Sequence, residues 1–521
     1  MIHVKTRLRH ASLACLASVM LLSGCVQNPV TGRKDFLLVS ESWELQVGAQ
    51  QYLPLRQAQG GDYVVDPGVE AYVRAVGQKL AAQSDRKLPY EFHVINDSSA
   101  NAWALPGGKI SINRGLLVKL ESEAELAAVL GHEIVHAAAK HGAKGQTRGI
   151  GLQLGVMTAA ILGEREGYGQ QAQLVSMVGA QLINSQYGQG AELESDHFGM
   201  SYMARAGYDP QGAVELQRTF VELSKGQSSD TLSRLFASHP PSEKRVQENI
   251  ATARTLGEGG KVGRREYQAA MAPLIRSREA YEAFDKAQLA FQEKNTRAAS
   301  TLLQTAMKLE PREAHFHSLA GDIALSQNKL STAKRSFDKA ISLNDAFYYY
   351  YLQRGKINEL QKNARAARAD YALSVKLLPT STAQLSLGIF AEREGKTDDA
   401  KRFYAAAAQA QGNDADKARA ALTRLNPPAT ASTEPALKNH VRVTSVYSKS
   451  KLFVQLANYS SQDIAAVRVG ISSGEGTPQQ VFTVRGPLAA GQTRIFDSGR
   501  RLSKLQAARI KLEVLDFRSA R

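Results

Sequence analysis

Apolar positions along this chain recur with three different patterns, and each pattern marks a different region. At the amino terminus, Lys5, Arg7 and Arg9 precede an apolar run from Ala11 to Leu22. The run is too short to span a bilayer comfortably and has the charged front of a secretory signal. Helical periodicity predicts helices over Glu41 to Tyr52, Val69 to Gln83 and Leu126 to Ala139; the last contains no Pro and a single Gly, Gly131. Between them Tyr90 to Ile95 alternates as a strand does, and Trp103 to Ile112 reads as strand, Pro106-Gly107-Gly108 turn and strand. These strands directly precede the third helix, so an edge including Trp103, Ala104 and Leu105 is expected beside it, available to an extended substrate by strand addition. Gly149 to Gly163 is apolar and Gly-rich but below transmembrane length, which predicts a covering helix or a gating loop.

Further on, the pattern becomes a repeat. Ala299, Ala333, Ala367 and Ala400 recur at intervals of 34, 34 and 33 residues. Twelve positions before each stand Ala287, Gly321, Gly355 and Gly388, and four after each stand Leu303, Phe337, Tyr371 and Tyr404. Small residues let paired helices approach, and the large ones fill the gap between them. Pro311 and Pro379 fall at turns between repeats. Such an array has a concave surface suited to a peptide or protein partner. Tyr348 to Tyr351 offer aromatic contacts there, although four consecutive residues cannot share one helical face, so some belong to the core. Beyond a Pro- and Thr-rich linker around Asn426 to Pro435, six short strands between Val441 and Val514 predict a small β-sandwich.

The expected organisation is a signal over 1–24, a catalytic region over 25–270, repeats over 277–412, a linker over 413–439 and an accessory β-domain over 440–521. With 521 residues and 43% hydrophobic content, several cores of ordinary size are possible. The net charge of +16 raises nucleic acid as a partner, but Lys and Arg are scattered and no nucleic-acid motif accompanies them. A solvated basic surface, with anionic lipid head groups as one thing it could face, accounts for the charge instead.

One pentapeptide specifies a chemistry. His132-Glu133-Ile134-Val135-His136 lies in the third helix and sets two imidazoles one turn apart, able to share a Zn²⁺, with Glu133 beside them as a proton acceptor. With 11 His and 49 acidic residues in 521, chance supplies at most ~0.02 such patterns. A third protein ligand and one open position are still required. Six residues after His136 stands Gly142, and continuing the helix places His141 off the ligand face, as a packing or surface residue. Downstream, Glu192 and Asp196 sit at i and i+4, so one can bind metal while the other supports a ligand His; Glu194 points elsewhere on that helix.

His132-Glu133-x-x-His136 and Glu192-x-x-x-Asp196, with Asn101 to Gly108 upstream, resemble the gluzincin family that contains the CAAX prenyl proteases and the HtpX heat-shock protease. The likeness is to its periplasmic branch, the β-barrel assembly-enhancing proteases, and the later repeats resemble tetratricopeptide repeats. The resemblance implies a zincin-like α+β peptidase domain, an all-α repeat array and a small β-sandwich. It also implies Glu192 as third ligand of one Zn²⁺, although the family's frequent Arg three residues earlier is Gln189 here. In Ser238 to Arg245 it implies a His, here His239, that occupies the open position and keeps the enzyme latent. Arg245 either steadies a carboxylate near the site or is surface charge, the second reading being slightly preferred. Leu22-Ser23-Gly24-Cys25 resembles a bacterial lipobox, with Cys25 lipidated and no following Asp to retain it in the inner membrane.

The expected function is therefore a zinc endopeptidase of the bacterial periplasm, held to the outer membrane by lipid. The resemblance implies unfolded or misassembled outer-membrane proteins as substrates and an assembly machine as a partner of the repeats. The competing expectation is a chaperone or scaffold whose metal site is latent.

Overall fold

The computed structural model describes residues 25–148, 187–225, 235–257, 259–425, 441–448, 450–460, 463–472, 480–507 and 510–519. The expected signal over 1–24, the apolar segment Gly149 to Gly163 and most of the Pro- and Thr-rich linker lie outside these residues. Two compact units result, Met1–Ala418 and Arg419–Arg521.

The first unit opens with a two-stranded antiparallel ribbon, β1 (Cys25–Gln27) and β2 (Lys34–Phe36). Helices α1 (Glu41–Ala58) and α2 (Pro67–Ala81) follow, then β3 (Glu91–Ile95), β4 (Ala102–Leu105) and β5 (Lys109–Asn113). The sheet order is β3-β5-β4, with β3 parallel and β4 antiparallel to β5. The expected hairpin thus forms, and β4 is an edge strand. Its alternation divides two cores: Trp103 and Leu105 pack with Val47 and Tyr52 of α1, while Ala102 and Ala104 join the core around the next helix.

That helix, α3 (Glu123–Ala138), is buried at every position, as the central helix of a domain must be when it is apolar on all sides. Its start is fixed by Ser122, whose Oγ accepts from the Glu125 amide at 3.2 Å, while the Glu125 carboxylate accepts from the Glu121 amide at 2.8 Å. Helix α4 (Gln189–Arg205) crosses α3 where Gly131 meets Gly199. A Cβ on Gly199 would stand 2.9 Å from the His132 amide nitrogen, backbone that cannot step aside. Two glycines therefore set how closely α4 approaches α3. Helices α5 (Gln211–Lys225), α6 (Glu243–Leu256) and α7 (Arg264–Arg276) complete this part.

Four antiparallel helix pairs follow: α8 (Arg278–Gln292) with α9 (Thr296–Leu309), α10 (Ala314–Ser326) with α11 (Leu330–Leu343), α12 (Tyr348–Leu360) with α13 (Ala364–Leu377), and α14 (Ser381–Arg393) with α15 (Thr397–Ala407). The repeat register has a direct steric cause. A Cβ on Gly321 would come within 2.6 Å of the Phe337 ring, and on Gly388 within 2.5 Å of Tyr404. Each glycine makes room for the aromatic of the partner helix. Residues 413–425, expected to begin the linker, are instead helical as α16 (Asn413–Leu425), with Ala415 and Ala418 buried.

Catalytic region and repeats pack together in one compact unit. Asn96 donates to both Glu313 carboxylate oxygens at 3.1 Å, Ser98 donates to Asp285 at 2.9 Å, and the Arg114 guanidinium lies 3.4 Å from the Tyr281 ring centroid. Gln57 of α1 receives the Tyr348 amide and donates to the Ala346 carbonyl, each at 2.8 Å. Of the tyrosine run, Tyr350 and Tyr351 are buried and Tyr348 and Tyr349 half-buried.

The second unit contains β6 (Val441–Ser448), β7 (Lys451–Asn458), β8 (Ile464–Ser472), β9 (Gln480–Leu488), β10 (Thr493–Arg501) and β11 (Lys511–Ser519). Two antiparallel sheets, β10-β7-β6 and β11-β8-β9, enclose one apolar core, with Leu452, Val454 and Leu456 from one and Val467, Val469 and Ile471 from the other. This is the expected small sandwich. Among the described residues no helix is long and apolar enough to cross a membrane.

Candidate metal centre

Helix α3 carries His132, Glu133 and His136, and α4 carries Glu192 and Asp196; the Gly131–Gly199 crossing brings the two sets together. The imidazole nitrogens His132 Nε2 and His136 Nε2 are 2.9 Å apart. Glu192 places Oε2 3.5 Å from His132 Nε2 and Oε1 3.4 Å from His136 Nε2. His239, in the loop before α6, brings Nδ1 to 3.2 Å from both Glu192 oxygens and 3.3 Å from His132 Nε2. One donor atom from each of these four buried residues lies within 4.8 Å of the others.

The second nitrogens of the two helix histidines are already engaged. His132 Nδ1 lies 2.8 Å from Asp196 Oδ1, and His136 Nδ1 lies 2.9 Å from His141 Nδ1. Asp196 is acceptor-only, so it fixes the proton on His132 Nδ1 and leaves Nε2 as a lone pair. The two Nε2 atoms and a carboxylate facing one small volume form a group able to hold a metal ion, and this nitrogen and oxygen donor set fits zinc. The negative field acts on His132: burial opposes its charged form, but Glu192 and Asp196 outweigh burial and raise its pKa to about 10. Glu192 behaves conversely, because His239 and His132 overcome the cost of burial and hold it well below the usual carboxylate range.

Glu133 is different. Its carboxylate is buried, its Oε2 has no hydrogen-bond partner, and burial pushes its pKa up. A desolvated carboxylate beside a cation site, with Oε1 3.6 Å from His239 Nε2 and Oε2 left without a hydrogen bond, is a strong proton acceptor. A cavity of about 40 Å³ adjoins it, lined by Val129, Met200, Leu216 and Phe220 on the apolar side and by His132 and His239 on the polar side.

Three supporting residues go beyond the sequence expectation. Arg245 is not surface charge: it is buried, with Nε and Nη2 on the Asp196 carboxylate at 2.7 and 2.8 Å and Nη1 on Glu192 at 3.0 Å. The Ser242 N-cap, accepting from the Arg245 amide at 3.2 Å, starts α6 so that Arg245 faces inward. His141 is buried behind His136 rather than turned away, because α3 ends at Ala138 and Lys140 takes a left-handed φ of 60°, which resets the phase of the next turn. Its Nε2 meets Glu194 Oε1 at 3.0 Å, so Glu194 also serves the centre through two histidines. Tyr187, for which the sequence carried no signal, stacks on His136 at 4.0 Å and 25°.

The expected edge strand is present but covered. Trp103, Ala104 and Leu105 are all buried, and Ala102 lines the cavity beside Glu133. Cys25 lies at the start of β1, remote in sequence from the centre.

Comparison with known proteins adds independent information. The chain matches Peptidase family M48 over residues 67–252. It is 27% identical over 338 residues to the Beta-barrel assembly-enhancing protease of Escherichia coli (strain K12), covering 58% of this chain and 68% of that protein. It is 30% identical over 226 residues to the Mitochondrial metalloendopeptidase OMA1 of Schizosaccharomyces pombe, covering 42% of this chain and 64% of that one. Among solved structures, YrrB, described as a TPR protein with an unusual peptide-binding site, aligns at 16% identity with a TM-score of 0.25, covering 31% of this chain and 93% of that one.

Proposed function

We propose that this chain, a metalloendopeptidase whose residues 67–252 match Peptidase family M48, is a zinc enzyme of the bacterial envelope acting on unfolded or misassembled outer-membrane proteins. The observation that carries the chemistry is the convergence of His132 Nε2, His136 Nε2 and Glu192 beside a Glu133 carboxylate whose Oε2 has no hydrogen-bond partner. His132, His136 and Glu192 hold the metal. When bound, zinc supplies Lewis acidity to a peptide carbonyl and acidifies a water.

The chain's own residues do the rest. Glu133 accepts the proton of the attacking water and passes it to the departing amine. Asp196 fixes the tautomer and direction of His132, while His141 steadies His136. Arg245 positions Asp196 and Glu192 together and balances their charge. Substrate addition along β4 requires its cover to open, since the strand is buried as it stands.

A second reading, latency, is favoured by one specific contact. His239 Nδ1 sits 3.3 Å from His132 Nε2 and 3.2 Å from Glu192, within the donor cluster itself. His239 then fills the position that a water and substrate need, and the resting chain is inactive until this loop withdraws. The repeats, packed on the peptidase, are the surface for a substrate or an assembly machine. Periplasmic location and lipidation of Cys25 rest on the leader and lipobox pattern, and the name of the Escherichia coli relative supports the substrate class.

The test uses the purified full chain, stripped with chelator and reloaded with zinc, acting on an unfolded outer-membrane β-barrel protein. Cleavage should depend on zinc and rise in His239→Ala. A zinc-loaded His239→Ala chain as inert as the parent overturns the latency reading, and zinc-independent cleavage overturns the metal assignment.

A further inference from the structure

The mature chain, on the lipidation reading above, begins at Cys25, and Cys25 is already part of the fold: its register partner in the ribbon is Phe36, with Val26 opposite Asp35 and Gln27 opposite Lys34. Three large apolar residues here face solvent, Val26 at 36%, Phe36 at 44% and Leu38 at 47% exposed, while Leu37 between the last two turns into the core. Other exposed apolar side chains, such as Leu289 and Leu360 in the repeats, stand at separate places along the chain. Arg33 and Lys34 are exposed, and among the described residues neither has an ion-pair partner, whereas the neighbouring Asp35 is neutralised by Lys144 at 2.8 Å. Apolar side chains flanked by uncompensated cations are the composition that binds an anionic bilayer surface.

The ribbon is also rigidly joined to the catalytic machinery. Asn28 is buried; its side-chain amide donates to the Ala139 carbonyl at 3.1 Å and to Asp35 at 2.8 Å, and its Oδ1 accepts from the Val30 amide at 2.9 Å. The Leu38 amide donates to Thr147 Oγ1 at 3.0 Å. Ala139 lies three residues beyond His136, so the carboxyl end of the metal-binding helix is pinned to the segment that bears the anchor.

We propose that this ribbon is a membrane seat: Phe36 and Lys34 share with Cys25 the face of the ribbon opposite Val26 and Asp35, and with the exposed Leu38 two residues on they sit in the headgroup region of the bilayer that holds the acyl chains of Cys25. The peptidase is then fixed at the lipid surface with no linker, and the polypeptides it meets are those emerging at that surface. The lipid, rather than a protein, is the occupant because the patch surrounds the residue that would carry acyl chains and because its free charges are positive.

The mature chain has Cys25 as its single cysteine once Cys15 is removed with the leader, so acylation leaves it free for site-specific labelling. The full lipoprotein, its Cys25 acylation read by mass spectrometry, is placed in vesicles of phosphatidylethanolamine and phosphatidylglycerol containing brominated lipid. A fluorophore on Phe36→Cys or Leu38→Cys should be quenched several-fold, and one on Leu289→Cys should not. In parallel, a leaderless Cys25→Ser chain should bind these vesicles, and Phe36→Asp with Leu38→Asp should weaken that binding by roughly tenfold or more. Acylated Cys25 with unquenched labels overturns the seat and leaves the tether. Unacylated Cys25 with vesicle binding through Phe36 and Leu38 overturns the lipidation reading and supports the seat. Crosslinking of position 36 to a second copy of the chain, with no response to vesicles, overturns the lipid assignment.

Discussion

Replacing Arg245 by Met should expose how much of the centre depends on a residue that touches neither metal nor substrate. The substitution keeps the volume and removes a guanidinium that holds Asp196 through two hydrogen bonds of 2.7 and 2.8 Å and Glu192 through one of 3.0 Å. Both carboxylates are buried, so the loss leaves negative charge stranded rather than solvated. Breaking a buried pair in this way costs about 3–5 kcal/mol. In a cooperative unit of this size that corresponds to a drop of roughly 4–6 °C in melting temperature. Asp196 also loses its fixed direction towards His132, which should weaken metal binding by about 10–100-fold. Differential scanning fluorimetry of the metal-free chain reads the first effect, and zinc competition against a chelating dye reads the second. Arg245→Lys, with one point charge in place of a fork, should fall between Met and the parent. An Arg245→Met chain with unchanged melting temperature and unchanged zinc affinity would refute the assignment of Arg245 to the centre.

Two other perturbations test the scaffold. Gly199→Ala forces a Cβ to 2.9 Å from the His132 amide nitrogen, so the overpacking cost of about 1–3 kcal/mol should exceed the helix-propensity gain of up to ~1 kcal/mol. Because it separates α3 from α4, it should also lower zinc affinity in the same dye competition, and a stabilised variant with full affinity would contradict the crossing. Asp322, half-buried beside Tyr349, has its carboxyl pushed up to about 7 by burial, against an ordinary value of 3.8. A raised acid is stable in its protonated form, so its favourable contribution is complete below pH ~4 and is lost as pH rises through about 7. Asp322→Asn should therefore gain on the parent between pH 4 and pH 7.5 by ~2–4 kcal/mol in chemical denaturation, and a difference that does not change with pH would refute this.

What was legible in the sequence had local causes. The repeat register was readable because Gly321 and Phe337, or Gly388 and Tyr404, meet across a helix pair at constant spacing. His132, Glu133, His136 and Glu192 fall together in space, as helical spacing and the resemblance led one to expect. Of the two readings of Arg245, surface charge was preferred because a charged residue in the first turn of a helix is usually solvated; the other, a carboxylate steadied near the site, is the one that holds, through a turn of α6 towards Asp196. His141 proves the packing rather than the surface residue, seated behind His136 because the backbone at Lys140 takes φ 60° after the helix ends and resets the phase. The docking of the repeats on the peptidase rests on pairs such as Asn96 with Glu313, separated by 217 residues, which no periodicity can announce. The helix at residues 413–425 was hidden by its place just before a Pro- and Thr-rich stretch.

The central claim is that Glu133 is the proton acceptor of a centre held by His132, His136 and Glu192, and Glu133→Gln tests it most directly. Zinc per chain and cleavage of an unfolded β-barrel protein are measured together, in the His239→Ala background so that latency does not mask the result. The account predicts an undiminished zinc content with cleavage reduced at least about 100-fold. Undiminished cleavage by the zinc-loaded variant would contradict it.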